Sequence, residues 1–233
     1  MFNKVLIITK NTFIETIRQP IYAIIVLFSM FLLLMSPSIT MYTIDDDIKL
    51  LREIGLSTIF LAGLFISIFS AGSAITEEIE TKTITTILSK PIPRPVFVIG
   101  KFLGVVVAVA VAHYILTITM LMVIRHGVLS TASDTHDWTV IAAAGISITF
   151  VILITAFLNY SYDWNFPATG IILTVLFATA SIVFLSFINK EWQFNPGENK
   201  IEAFDIYASI LLFLAIMIRS EEHTSELQSP NTI

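Results

Sequence analysis

Residues 102–124, FLGVVVAVAVAHYILTITMLMVI, run from Lys101 to Arg125 without an Asp, Glu, Lys or Arg, and their reading decides the fold. A helix rises about 1.5 Å per residue, so a stretch of this length crosses a hydrocarbon core of about 30 Å. One charge at mid-bilayer costs roughly 2.5–3.5 kcal/mol, which is why a membrane selects clean intervals. Similar intervals separate Arg18 from Asp45, Glu53 from Glu77, Asp137 from Asp163, and Asp163 from Lys190. Membrane-spanning helices are therefore expected near residues 21–43, 56–75, 102–124, 139–161 and 168–188. The run Asp45-Asp46-Asp47 must stand in water between the first two.

Composition supports the same class. Hydrophobic residues make up 55% of the chain and charged residues 13%, and the mean hydropathy is +0.84. A soluble domain carries about a quarter of its residues as charges, so this chain has too little polar material to cover itself in water. There is no cysteine, which excludes disulfides and thiolate metal sites. A net charge of −5 without any Lys/Arg-rich block excludes nucleic acid as a partner.

The first 19 residues are mixed rather than uniformly apolar. On a helical wheel Phe2, Val5, Leu6, Phe13 and Ile17 share one broad face, while Lys4, Asn11, Glu15 and Arg18 lie opposite. Such a pattern suits an interfacial amphipathic helix over residues 1–19, resting on the membrane before the first span. Pro20 stands where a new helix can begin, since its missing N–H is not needed there. With the N-terminus in the cytoplasm, Lys4, Lys10, Arg18, Lys82, Lys90, Arg94 and Lys101 fall inside. Lys49, Arg52, Arg125, Lys190 and Lys200 fall outside, so the positive-inside rule favours a cytoplasmic N-terminus.

The most informative loop is residues 76–101, TEEIETKTITTILSKPIPRPVFVIGK. Glu77, Glu78 and Glu80 favour a helix N-terminus through the backbone dipole, and Glu78 stands four residues before Lys82 in the favourable order. Ile79, Ile84, Ile87 and Leu88 supply an apolar side, and Pro91, Pro93 and Pro95 end the helix. A short amphipathic helix is thus expected between spans two and three, followed by a rigid basic return through Arg94 to Lys101.

This succession of acidic residues, a Thr-Ile-Thr-Thr-Ile-Leu-Ser helix, Lys-Pro-Ile-Pro-Arg and a final Gly-Lys resembles the first cytoplasmic loop of ABC type-2 permeases. The resemblance covers roughly residues 1–110; the later spans match by hydropathy alone. Where family members often carry Gly before the helix Thr, this chain has Glu80-Thr81-Lys82-Thr83. The resemblance implies a six-helix permease that dimerises, as a homo- or heterodimer, in the cell inner (plasma) membrane, each copy docked on an ATPase subunit. It implies that Glu77, Glu78, Glu80, Thr83, Ile84, Ile87 and Leu88 form a coupling helix seated on that ATPase. Pro91, Arg94 and Lys101 would then form the basic return, with a smaller second contact at Asp163. No G-x-x-x-x-G-K-[ST] phosphate loop occurs, so ATP would be bound by the partner and not by this chain, which needs no cofactor of its own.

The surroundings of the other polar residues bear on their roles. His113 lies mid-span, where a polar group marks either a substrate path or a hydrogen bond between helices. His126, Asp134, His136 and Asp137 gather around one loop, which reads as solvated loop chemistry, and no metal is expected. No H-E-x-x-H or G-x-S-x-G motif points to an intramembrane enzyme. Ala142, Ala143, Ala144 and Gly145 permit close helix packing.

A sixth apolar helix begins near Ile201, but its charge-free part, Ile206 to Ile218, is too short to cross alone. It counts as a partial span over residues 203–218. Arg219 to Ser229 resembles the translation of a short-read sequencing adapter, so residues 219–233 are expected to be a non-native tail on a transmembrane domain of residues 20–218. The overall expectation is an all-α polytopic membrane protein with no catalytic residues of its own, a permease partnered by an ATPase, a second permease copy and membrane lipid. The alternative is a polytopic membrane scaffold or maturation factor that binds partners without transporting.

Overall fold

The computed structural model describes residues 2–41, 47–80, 93–129, 135–195 and 203–227, with the backbone alone at 2, 74–80, 94, 203–204 and 220–227. The described residues form helices α1 (Phe2–Arg18), α2 (Pro20–Thr40), α3 (Asp47–Glu80), α4 (Arg94–His126), α5 (Trp138–Tyr162), α6 (Phe166–Phe187) and α7 (Ala203–Leu227). Helices α2 to α6 are long and apolar enough to cross a membrane. The chain is an all-helical, multi-pass membrane protein.

Several helices overrun the charge-free intervals. α3 begins at Asp47 rather than near 56, and α4 at Arg94 rather than near 102. The interval marks hydrocarbon depth, whereas the hydrogen-bond ladder continues into the polar boundary until something stops it. Asp47 in the first turn suits the helix dipole. At the other end, the sequence reading has Glu77, Glu78 and Glu80 opening a separate loop helix. α3 instead carries on through them, so they close a helix of 34 residues. Between Ala71 and Glu80 only Gly72 weakens the ladder, by about 1 kcal/mol, which a helix of this length tolerates. The expected coupling positions Thr83, Ile84, Ile87, Leu88 and Pro91 lie outside the described residues.

α2 starts at Pro20 after an extended Gln19, and a second proline, Pro37, lies within its last turn. A proline has no N–H for the carbonyl four residues back, here that of Leu33. The Ser36 hydroxyl donates to that carbonyl at 2.6 Å, so the oxygen that the proline leaves without its N–H keeps a donor.

α4 is the axis of the bundle and packs against every other helix. Its apolar face joins α1, α2, α3, α6 and α7 in one core that includes Ile17, Tyr22, Val26, Ile66, Ile115 and Ile216. A second cluster holds Leu33, Ile59, Leu116 and Met120. A third, with Met122, Val140 and Leu185, attaches the α5–α6 hairpin. That hairpin turns at Asp163, which takes the left-handed conformation (φ 54°, ψ 29°) that Asp tolerates better than most residues. The Asn159 side chain donates to the Trp164 carbonyl at 2.6 Å, and Asn165 caps α6 by accepting from the Ala168 N–H at 3.1 Å.

α1 is more than a surface helix. Lys4, Leu6, Ile7, Lys10, Asn11 and Arg18 are exposed, but Thr12, Thr16 and Ile17 are buried. α1 packs most heavily on the start of α4, where Gly100, Gly104, Ala108 and Ala112 form a stripe of small residues at every fourth position. A Cβ on Gly100 would come within 2.8 Å of the Ile8 side chain, and one on Gly104 within 2.5 Å of the Thr12 Cβ and 2.9 Å of the Thr9 carbonyl oxygen. Inside a membrane, where no hydrophobic force drives helices together, this closeness supplies the packing that holds them. The Thr9 hydroxyl donates to the Gly100 carbonyl at 3.2 Å, and the Tyr22 hydroxyl to that of Ala108 at 2.8 Å.

Candidate functional site

Polar chemistry gathers at three levels of the bundle. At mid-span, His113 of α4 faces α7 and is buried. Its Nε2 lies 2.9 Å from both the carbonyl and the hydroxyl oxygen of Ser209. The Ser209 hydroxyl is also 2.7 Å from that of Thr117, and the Phe213 ring packs 5.3 Å from the imidazole centroid. The His113 Nδ1 has no hydrogen-bond partner among the described residues. One turn before Ser209, Asp205 is buried, and its carboxylate meets Arg52 of α3 at 2.8 Å and 3.3 Å. A charge pair at a helix end near membrane depth needs such two-point geometry to offset desolvation.

These contacts share one face of α7: Asp205, Ser209 and Ile216 recur at helical spacing and all point into the bundle. The His113–Ser209 pair joins α4 to α7, and the Asp205 carboxylate one turn away is committed to Arg52. Replacing Asp205 by Asn is expected to cost about 1–3 kcal/mol, since Arg52 loses its counter-charge while keeping some access to water. Thermal unfolding in detergent would register this, and the exchange Arg52→Asp with Asp205→Arg should recover part of it.

At the end of the bundle where α4 begins, Lys101 lies 4.0 Å from Glu15 of α1 and 5.8 Å from the centroid of the Phe97 ring. Arg94 opens α4, and Asp163, its neighbours largely exposed, closes α5. Of the residues singled out from the sequence, this structure brings Lys101 onto α1 and His113 onto α7, while Asp163 stands apart in its own turn. None of them converges with another.

At the opposite end Arg125 joins three helices. Its guanidinium donates to the Leu185 carbonyl and, at 2.6 Å, to the Ile188 carbonyl, both at the C-terminal end of α6. A cation there answers the helix dipole and the last unsatisfied carbonyls. Its Nε lies 3.7 Å from Asp137 Oδ2, an ionic contact too long for a hydrogen bond. The other oxygen of Asp137, Oδ1, caps α5 by accepting from the Thr139 N–H at 3.1 Å, the Val140 N–H at 3.3 Å, and the Thr139 hydroxyl. Asp137 is fully buried, so its place is structural rather than in a solvated loop. His126 and His136 stand nearby with ring centroids 5.8 Å apart; Asp134 lies outside the described residues.

Sequence reasoning missed Arg52, Asp205, Ser209 and the two glycines. The signals were present: a small-residue pair four apart in Gly100 and Gly104, and a carboxylate opening an otherwise apolar helix at Asp205. Neither names its partner, since Arg52 lies 153 residues from Asp205. No protein-family model, curated protein or solved structure matches the chain.

Proposed function

We propose that this chain is the permease subunit of an ABC type-2 transporter, an exporter that works as a dimer and draws on ATP hydrolysis by a separate ATPase subunit. The observation that carries the reading is the pattern of residues 76–101, set between two of the five apolar helices. α3 delivers that segment past its apolar stretch as an unbroken helix, and the return into α4 is braced by α1 through Gly100, Gly104 and the Glu15–Lys101 pair. Packed helices on either side of a coupling element can carry its movement into the bundle. In this reading the N-terminus lies in the cytoplasm of a cell's plasma (inner) membrane. Glu77, Glu78, Glu80, Thr83, Ile84, Ile87 and Leu88 meet the ATPase, and Asp163 makes a smaller contact with it.

The test is disulfide or maleimide crosslinking of a cysteine at Thr83 or Ile87 to a co-expressed ABC ATPase subunit. The expected result is a crosslink that strengthens on addition of a non-hydrolysable ATP analogue. Absence of any crosslink in an assembled, membrane-inserted complex would sink the assignment.

A further inference from the structure

Between α2 on one side and α4, α5 and α6 on the other lies a cavity of about 570 Å³. α2 touches α4 and α6 but makes no contact with α5 among the described residues, so the cavity is a groove open along the α2–α5 seam. Its walls are apolar, with Leu27 and Met30 from α2, Ile148 and Val151 from α5, and Phe177 from α6. Apart from Ser38 near the end of α2, the hydroxyls that reach it are spent on the protein itself. Thr119 donates to the Ile115 carbonyl, Ser147 pairs with Ser181, and Thr174 donates to the Gly170 carbonyl. The lining turns more polar toward one end, at Ser38, His126, Gly127 and His136. That end lies level with the C-terminus of α4 and the N-terminus of α5, beside Trp138, whose ring sits 6.0 Å from that of His136; such an aromatic marks a membrane–water boundary.

We propose that this groove binds one acyl chain of a membrane phospholipid, with the phosphate headgroup held at His126 and His136. Water is a poor occupant of the apolar stretch, because a buried water needs two to four polar partners and most of the hydroxyls there are already engaged. A transmembrane helix of a second copy, about 10–12 Å across, is a bulkier occupant than one acyl chain. The volume falls within the range of about 300–1,000 Å³ typical of sites for one small amphiphile. The polar end suits a phosphate: among the described residues no carboxylate lines the groove, and imidazole N–H groups donate to phosphate oxygens. The inference concerns what the groove holds, and stands whether or not the permease reading does.

The full chain is reconstituted in phosphatidylcholine vesicles that contain phosphatidylcholine with a diazirine at the end of one acyl chain. After irradiation, adducts are mapped by mass spectrometry. Adducts at Met30, Ile148 and Phe177 are expected several-fold above those at Leu153 and Phe157, exposed positions that report ordinary bilayer contact. Ala144→Trp fills the groove and is expected to remove its adducts while leaving those at Phe157. The pair His126→Ala and His136→Ala leaves the walls intact and is expected to reduce groove labelling several-fold. Retention of the Phe157 adducts identifies each variant as inserted and folded. Equal labelling of groove and control positions would overturn the proposal. So would groove labelling unchanged in the folded variants, or chain-to-chain crosslinks through Ile148 in place of lipid adducts.

Discussion

Replacing Arg125 by methionine is expected to lower the thermal unfolding midpoint of the detergent-solubilised protein by about 10 °C. The guanidinium satisfies the Leu185 and Ile188 carbonyls and faces Asp137, whose carboxylate is fully buried. Removing one partner of a buried pair costs about 3–5 kcal/mol, because the other charge stays behind uncompensated. In a protein of this size each kcal/mol moves the midpoint by about 2–4 °C. Asp137→Asn in the same chain keeps an N-cap for α5 and removes the stranded charge, so the double variant should melt closer to the parent than Arg125→Met alone. A single variant that melts with the parent would mean that α4, α5 and α6 are held at this end by apolar packing alone.

The second large effect is expected at the α1–α4 crossing. Gly104→Val places a branched side chain where even a Cβ would lie 2.5 Å from the Thr12 Cβ and 2.9 Å from the Thr9 carbonyl oxygen. Neither neighbour is the flexible end of a side chain, so the helices must separate, at about 1–3 kcal/mol or more. The readout is a cysteine at Thr12, buried in the parent, which should become accessible to a membrane-impermeant maleimide. Two controls bracket it. At Gly63 an added Cβ meets the Ile216 side chain alone, 2.5 Å from its Cδ1 and 3.3 Å from Cγ1 and Cγ2, and at Gly145 it meets nothing within 4 Å. Alanine at Gly145 should be neutral or stabilising by up to about 1 kcal/mol through helix propensity. Thr12 labelling that stays at the parental level in Gly104→Val would show that α1 does not depend on this contact.

The five long apolar helices were legible because the bilayer penalises charge so heavily that it writes its thickness into the spacing of Asp, Glu, Lys and Arg. Helix ends were less legible. Asp47, Arg52 and Glu53 interrupt an apolar interval without interrupting a helix, so α3 is longer than its clean stretch. Its other end was misread for a related reason: Glu77, Glu78 and Glu80 suit a helix start, but an unbroken ladder outweighs a dipole preference of about 0.3–1 kcal/mol. Contacts between helices were the least legible. His113 was flagged by its polarity, yet Ser209 looked like one more small residue in a short apolar run. The Gly100–Gly104 pair lies in plain view, but only the approach of Ile8 and Thr12 gives it meaning. Asp137 was read as loop chemistry because its partner Arg125 lies across a turn whose middle, residues 130–134, falls outside the described residues.

The polar docking of α7 bears on how the protein is made. The apolar run from Ile206 to Ile218 falls short of the about 20 residues that insert on their own, and α7 is not among the helices long and apolar enough to cross. Its buried Asp205 would oppose insertion further if it met lipid unpaired. Arg52 and His113 lie on α3 and α4, which leave the ribosome long before α7 is synthesised. α7 thus enters a membrane already furnished with its counter-charge and its hydrogen-bond partner. The order of synthesis lets the earlier helices recruit α7 through polar contacts.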